Sequence, residues 1–155
     1  MKNYETYFNK LLAFSRVCNI RVFMEKSGKN YSLKETDDSI DLGEFDPRKK
    51  TVSINSNIPP STQIAVFLHE LGHFYDYMKD PKFSKGKKLL RGYTKFIYSE
   101  PVTYEEKKRI VECERRAWKN GEMIAKLLGI PLGVWYYSER KQGMSFYRSI
   151  PVKKI

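Results

Sequence analysis

One segment constrains this chain more than any other. Ile64-Ala65-Val66-Phe67-Leu68-His69-Glu70-Leu71-Gly72-His73-Phe74 is apolar on nearly every side of a helix, and such a helix must lie in a core. Yet it carries His, Glu and His, and polar groups buried without partners cost free energy. Their spacing supplies a reason. Residues four apart share one helical face, one turn above the other, so the imidazoles of His69 and His73 can reach a single ion. Glu70 projects roughly 100° around from His69. It is positioned to take a proton from a water on that ion, whose pKa zinc lowers to about 7. The flanks from Ile64 to Leu68 and from Leu71 to Tyr75 carry no other charge, and the chain has 2 histidines in all.

Zinc in a catalytic site takes three protein ligands and keeps a fourth position for water. With no third histidine, the remaining ligand is expected to be a carboxylate. A metzincin arrangement is excluded, because Asp76 and Lys79 stand where its glycine and third ligand would be. The long helix expected downstream offers Glu112 and Glu114. They lie about 200° apart around its axis, so one of them faces inward. Glu114 shares a face with Ile110 and Ala117, and a small residue there favours close helix packing. Glu114 is therefore the expected ligand, Glu112 the alternative, and Asp76 and Asp80 are in reserve. Pairing of both glutamates with Lys108, Arg115 or Arg116 as solvated charges is the competing reading.

Around these helices the pattern is short and mixed. Apolar positions at Tyr4, Tyr7, Phe8, Leu11, Leu12 and Phe14 predict a helix over 3–17. Ile20 to Met24 reads as a strand, with a turn at Ser27-Gly28 and a return strand at Tyr31 to Leu33. Ile40 to Phe45 and Thr51 to Asn55 read as a second hairpin turned by 46–50. Thr51 to Asn55 is the candidate edge along which a peptide can lie, a common recognition mode. Pro59-Pro60 breaks the chain, and Ser61 or Thr62 is expected to cap the motif helix, which runs to about Met78. Residues 79–100 read as a basic, aromatic loop. Thr103 and Glu106 form a capping box that opens a helix from about 103 to 128, ended by Gly129 and Pro131. The tail 131–155 is basic and aromatic without a clear period. The 155 residues suit one domain. The expected fold is α+β and zincin-like: a short, mainly antiparallel sheet packed on an active-site helix and a long C-terminal helix.

Thr51-Val52-Ser53-Ile54-Asn55, the prolines after it, and Gln63 through His73 resemble the ImmA/IrrE-type metallopeptidases, a gluzincin-like group common in phages and mobile elements. The resemblance covers about residues 40–128. Glu114-Arg115-Arg116-Ala117 is similar to that family's later Glu-x-x-Ala element. The resemblance implies one zinc ion held by His69, His73 and Glu114, with Glu70 as the catalytic base of a peptidase. Three departures stand out. Trp118 occupies a position where Asn or Asp is common. Gly121 through Pro131 replaces the usual apolar run. The basic segment 79–100 is longer than expected.

The remaining features bear on partners. The net charge of +11, from 29 Lys and Arg against 18 Asp and Glu, favours an acidic protein substrate or a nucleic acid. No helix-turn-helix, zinc knuckle or RNP motif supports the latter. The alternative to a peptidase is a zincin-fold module that works by contact with nucleic acid or a regulatory protein. No apolar run approaches a membrane span, and the N-terminus does not read as a secretory signal. Cys18 and Cys113 read as unpaired thiols of a cytoplasmic protein, with a disulfide between them as the alternative. Tyr93, Tyr98 and Tyr104 lie between the expected ligands, and each is a candidate for stabilising an oxyanion.

Overall fold

A computed structural model describes residues 3–25 and 42–154. The chain opens with helix α1 (Tyr4–Val17), capped by the Asn3 side chain, which accepts a bond from Thr6 N at 3.1 Å. Asn19, at φ 58°, turns the chain into strand β1 (Arg21–Glu25). The next described strands are β2 (Gly43–Asp46) and β3 (Thr51–Asn55). Asp46 Oδ1 accepts from the backbone N–H groups of Arg48 and Lys49 at 2.9 and 3.1 Å, which closes the turn between them. This hairpin is the one expected from sequence, in the register Phe45 opposite Val52.

The sheet departs from expectation in two ways. Its order is β1-β3-β2, and β1 runs parallel to β3 while β2 runs antiparallel. It is therefore mixed, not mainly antiparallel. The second departure is that β3 lies at its centre, so Thr51–Asn55 is not an edge. The physical reason is burial: Val52 and Ile54 form core, and Thr51 and Asn55 are also buried, as a strand flanked on both sides requires. Among the described residues the edges are β1 and β2. The expected return strand Tyr31 to Leu33 lies outside the described residues.

Helix α2 (Pro60–Lys79) is the axis of the molecule. The sheet, α1, helix α5 (Tyr104–Leu127) and helix α6 (Val134–Arg148) all pack on it. Pro59 is its N-cap and Pro60 its first residue, a position where the missing N–H costs nothing. Neither Ser61 nor Thr62 caps it. The Thr62 hydroxyl instead donates to Glu139 Oε1 at 3.0 Å and pins α6 to the start of α2. The expected capping box at the head of α5 is present, with Glu106 N to Thr103 Oγ1 at 3.1 Å and Thr103 N to Glu106 Oε2 at 2.8 Å.

The segments expected to be irregular are largely helical. Residues 79–100 hold a single turn α3 (Pro81–Ser84) and helix α4 (Lys87–Ile97). Leu89, Tyr93 and Phe96 recur at helical spacing and face inward, but Gly86, Gly92 and the lysines mask the pattern. The mid-helix Gly92 lets α4 lie close on α5: a Cβ there would meet Ile110 Cδ1 at 3.1 Å and Glu106 Cβ at 3.2 Å. In the tail, α6 buries Tyr136 and Met144, two anchors too far apart to reveal a period. After α6, Val152 bridges Val102, just ahead of α5.

The core is in two parts. The larger joins Leu11, Val52, Ile54, Phe67, Leu68, Leu71, Trp118 and Tyr136; the smaller joins Leu89, Val102, Ile110, Cys113 and Ile150. Among the described residues, no helix is long and apolar enough to cross a membrane.

Candidate metal centre

Helices α2 and α5 meet backbone to backbone. A Cβ on Gly72 would overlap the Ala117 carbonyl, and one on Gly121 would meet Leu68 O at 2.8 Å. Gly72 lies between His69 and His73 in the motif, and Ala117 follows Glu114 by nearly one turn. This close approach carries Glu114 to the two histidines.

The three side chains converge. His69 Nε2 and His73 Nε2 are 3.2 Å apart. Glu114 Oε2 lies 2.9 Å from His69 Nε2 and 3.4 Å from His73 Nε2. A tetrahedral zinc with bonds of about 2.0–2.1 Å spaces its ligand atoms about 3.3–3.4 Å apart, so the triangle is close to one face of such a polyhedron and somewhat tighter on the His69–Glu114 side. Glu114 is 2 % exposed, and its Oε2 accepts no hydrogen bond of proper geometry. A buried carboxylate oxygen with an open lone pair, facing two imidazole nitrogens, fits a shared cation. Among the described residues this is the one group of His, Cys, Asp and Glu side chains with metal-ligand spacing.

The charges follow from that crowding. Burial works against a charge on His73, but the Glu114 carboxylate outweighs it and holds His73 well above the usual histidine range. Burial likewise opposes the Glu114 charge, and the imidazoles pull it far below the usual carboxylate range. Without a cation, the carboxylate and a proton on His73 stabilise each other.

The other expected residues separate clearly. Glu70 is buried on the same turn as His69, and a Cβ on Gly43 of β2 would lie 3.5 Å from Glu70 Cγ. Glu112 is turned away and paired with Arg115 at 2.8 and 2.7 Å. The reserve ligands are also engaged elsewhere. Arg116 Nε donates to Asp76 Oδ1 at 2.8 Å, and Arg116 Nη2 donates to Asp80 Oδ2 at 3.0 Å. Tyr98 and Tyr104 are exposed, whereas the Tyr93 hydroxyl donates to Glu114 Oε1 at 2.6 Å.

Two contacts have no forerunner in the sequence reading. The Trp118 ring lies 4.2 Å from the His69 ring, centroid to centroid, tilted by 31°. His69 Nδ1 is buried without a hydrogen bond, so this ring is held by packing where a ligand imidazole more often donates to an acceptor. Cys113 Sγ lies 3.8 Å from His73 Nδ1. Cys18 and Cys113 are both free thiols, the second buried. A signal for both contacts did exist: Cys113, Glu114, Ala117, Trp118 and Gly121 trace one helical face of small and apolar residues around a single carboxylate.

Comparison with family models, with curated proteins and with solved structures finds no match to this chain.

Proposed function

We propose that this protein is a zinc-dependent peptidase of zincin-like fold, related to the ImmA/IrrE-type metallopeptidases, with His69, His73 and Glu114 as metal ligands and Glu70 as catalytic base. One observation carries the reading. Two imidazole nitrogens and one buried carboxylate oxygen converge at 2.9–3.4 Å, and three protein ligands are the number that a catalytic zinc site uses, where a closed structural site takes four.

Zinc bound there supplies a Lewis acid that acidifies a water and polarises the scissile carbonyl. The chain's own residues supply the rest. Glu70 takes the proton of the attacking water and returns it to the leaving amine nitrogen as the C–N bond breaks. Among the described residues β2 is an edge strand beside Glu70, and it suits an extended peptide better than the central β3. Residues 81–99 contain six Lys and Arg and no Asp or Glu, which favours an acidic protein as substrate.

The test is metal analysis of purified protein together with Glu70→Gln. The expected result is about one zinc per chain in both proteins, with hydrolysis of a protein substrate reduced by about 10²–10⁴-fold in the variant. Metal-free protein, or equal cleavage by the variant, overturns the proposal. Salt-sensitive binding of a partner that survives Glu70→Gln without cleavage in either protein marks a contact module instead.

A further inference from the structure

Glu114 has two oxygens, and they have different work. Oε2 faces the histidines, 2.9 Å from His69 Nε2. Oε1 is taken by the Tyr93 hydroxyl at 2.6 Å, the short length of a hydrogen bond to an ionised acceptor. Tyr93 does not come from either ligand helix. It sits on α4, and the fold holds α4 in place by several independent contacts. Leu89 is buried in the smaller core. Gly92 brings the α4 backbone against Ile110 and Glu106 of α5. Lys95 Nζ binds both oxygens of Glu106, at 3.0 and 2.9 Å. These contacts bracket Tyr93 on both sides and fix where its hydroxyl lies.

We propose that Tyr93 is a positioning residue for the third metal ligand. By occupying Oε1, it leaves Glu114 a single oxygen to offer, and so prevents the carboxylate from gripping an ion with both. A one-oxygen grip keeps the coordination number low and a position open for water, as a catalytic zinc site needs. Groups that orient a ligand typically govern metal affinity by about 10–100-fold. The inference rests on the metal-site reading above. It adds that the basic segment between the two ligand helices is part of the site's construction and not only a surface.

The test uses the full chain as wild type, Tyr93→Phe and Phe96→Leu, each titrated with zinc and with cobalt(II). Tyr93→Phe removes the hydroxyl alone. Phe96→Leu loosens the packing of α4 without touching Glu114. The expected result is that Tyr93→Phe binds zinc about 10–100-fold more weakly. Its cobalt complex should also lose visible absorption, because the freed carboxylate adds a second oxygen and moves the ion away from tetrahedral geometry. Phe96→Leu should keep the wild-type affinity and spectrum. Wild-type protein that binds both metals while Tyr93→Phe matches it in affinity and spectrum overturns this inference alone. Equal weakening in both variants also overturns it, since Tyr93 then matters only by holding α4. Wild-type protein that takes up neither metal overturns the inference and the metal-site reading together.

Discussion

Under the proposed function, a proton and a metal ion would compete for the same nitrogen at His73. The Glu114 carboxylate raises the pKa of His73 in the metal-free protein, and metal needs the imidazole neutral. Zinc affinity should therefore start to fall, as pH is lowered, at a pH above the usual histidine value of about 6.5. Below that onset the zinc Kd should rise about tenfold per pH unit, and zinc binding near neutral pH should release about one proton. Calorimetric titration in buffers of different ionisation enthalpy measures both. The stability of the metal-free protein has the opposite sign. A folded-state pKa raised above the unfolded value gives stabilisation that is full below about 6.5 and fades as pH rises through the folded-state value. Some of this chemistry was legible residue by residue. His69, Glu70 and His73 announce themselves by spacing, and Glu114 was favoured over Glu112 by the small Ala117 nearly one turn on. Tyr93 was legible only as one of three tyrosines able to stabilise an oxyanion, and neither its hydrogen bond to Glu114 nor the contacts of Cys113 and Trp118 with the histidines was foreseen. Spacing places Cys113 and Trp118 on the same helical face as Glu114, but it does not record which element lies opposite or which way a ring turns.

Among elements, the contact between α2 and α5 decides the site. Gly72 faces the Ala117 carbonyl with no room for a Cβ, so Gly72→Ala must push the two helices apart. Overpacking of this kind costs about 1–3 kcal/mol or more. Because the obstacle is backbone and not a flexible side chain, the upper end is expected. Urea unfolding of the metal-free variant measures the loss. Zinc affinity should fall with it, since the same displacement draws Glu114 away from the histidines. A strong apolar period made α1 readable in advance, the all-round apolar run about the motif did the same for α2, and the Thr103–Glu106 box with Gly129 and Pro131 bounded α5. Helix α4 was hidden by glycines that serve close packing, and α6 by having only Tyr136 and Met144 as deep anchors. The order of the sheet was not readable either, because alternation in β3 shows that its face is buried and says nothing about which strands flank it.

For the whole molecule, the proposed centre would tie the N-terminal half to the C-terminal half, since two of its proposed ligands stand on α2 and one on α5. An ion that binds only the folded chain adds stability by mass action, about 4 kcal/mol when free zinc is a thousand times its Kd. In a chain of this size each kcal/mol moves the melting temperature by about 2–4 °C. Chelation should therefore lower Tm by about 8–16 °C, and differential scanning calorimetry with and without chelator tests it. The glycine contacts at Gly72 and Gly121 carry a further consequence, for which cations the protein accepts. Two helices in main-chain contact at Gly72 and Gly121 leave little room for a larger guest, and two of the three proposed donors are nitrogens. Calcium, which wants about six to eight oxygens at about 2.3–2.6 Å, should therefore be refused by the proposed site, whose tight frame depends on the absence of two methyl groups.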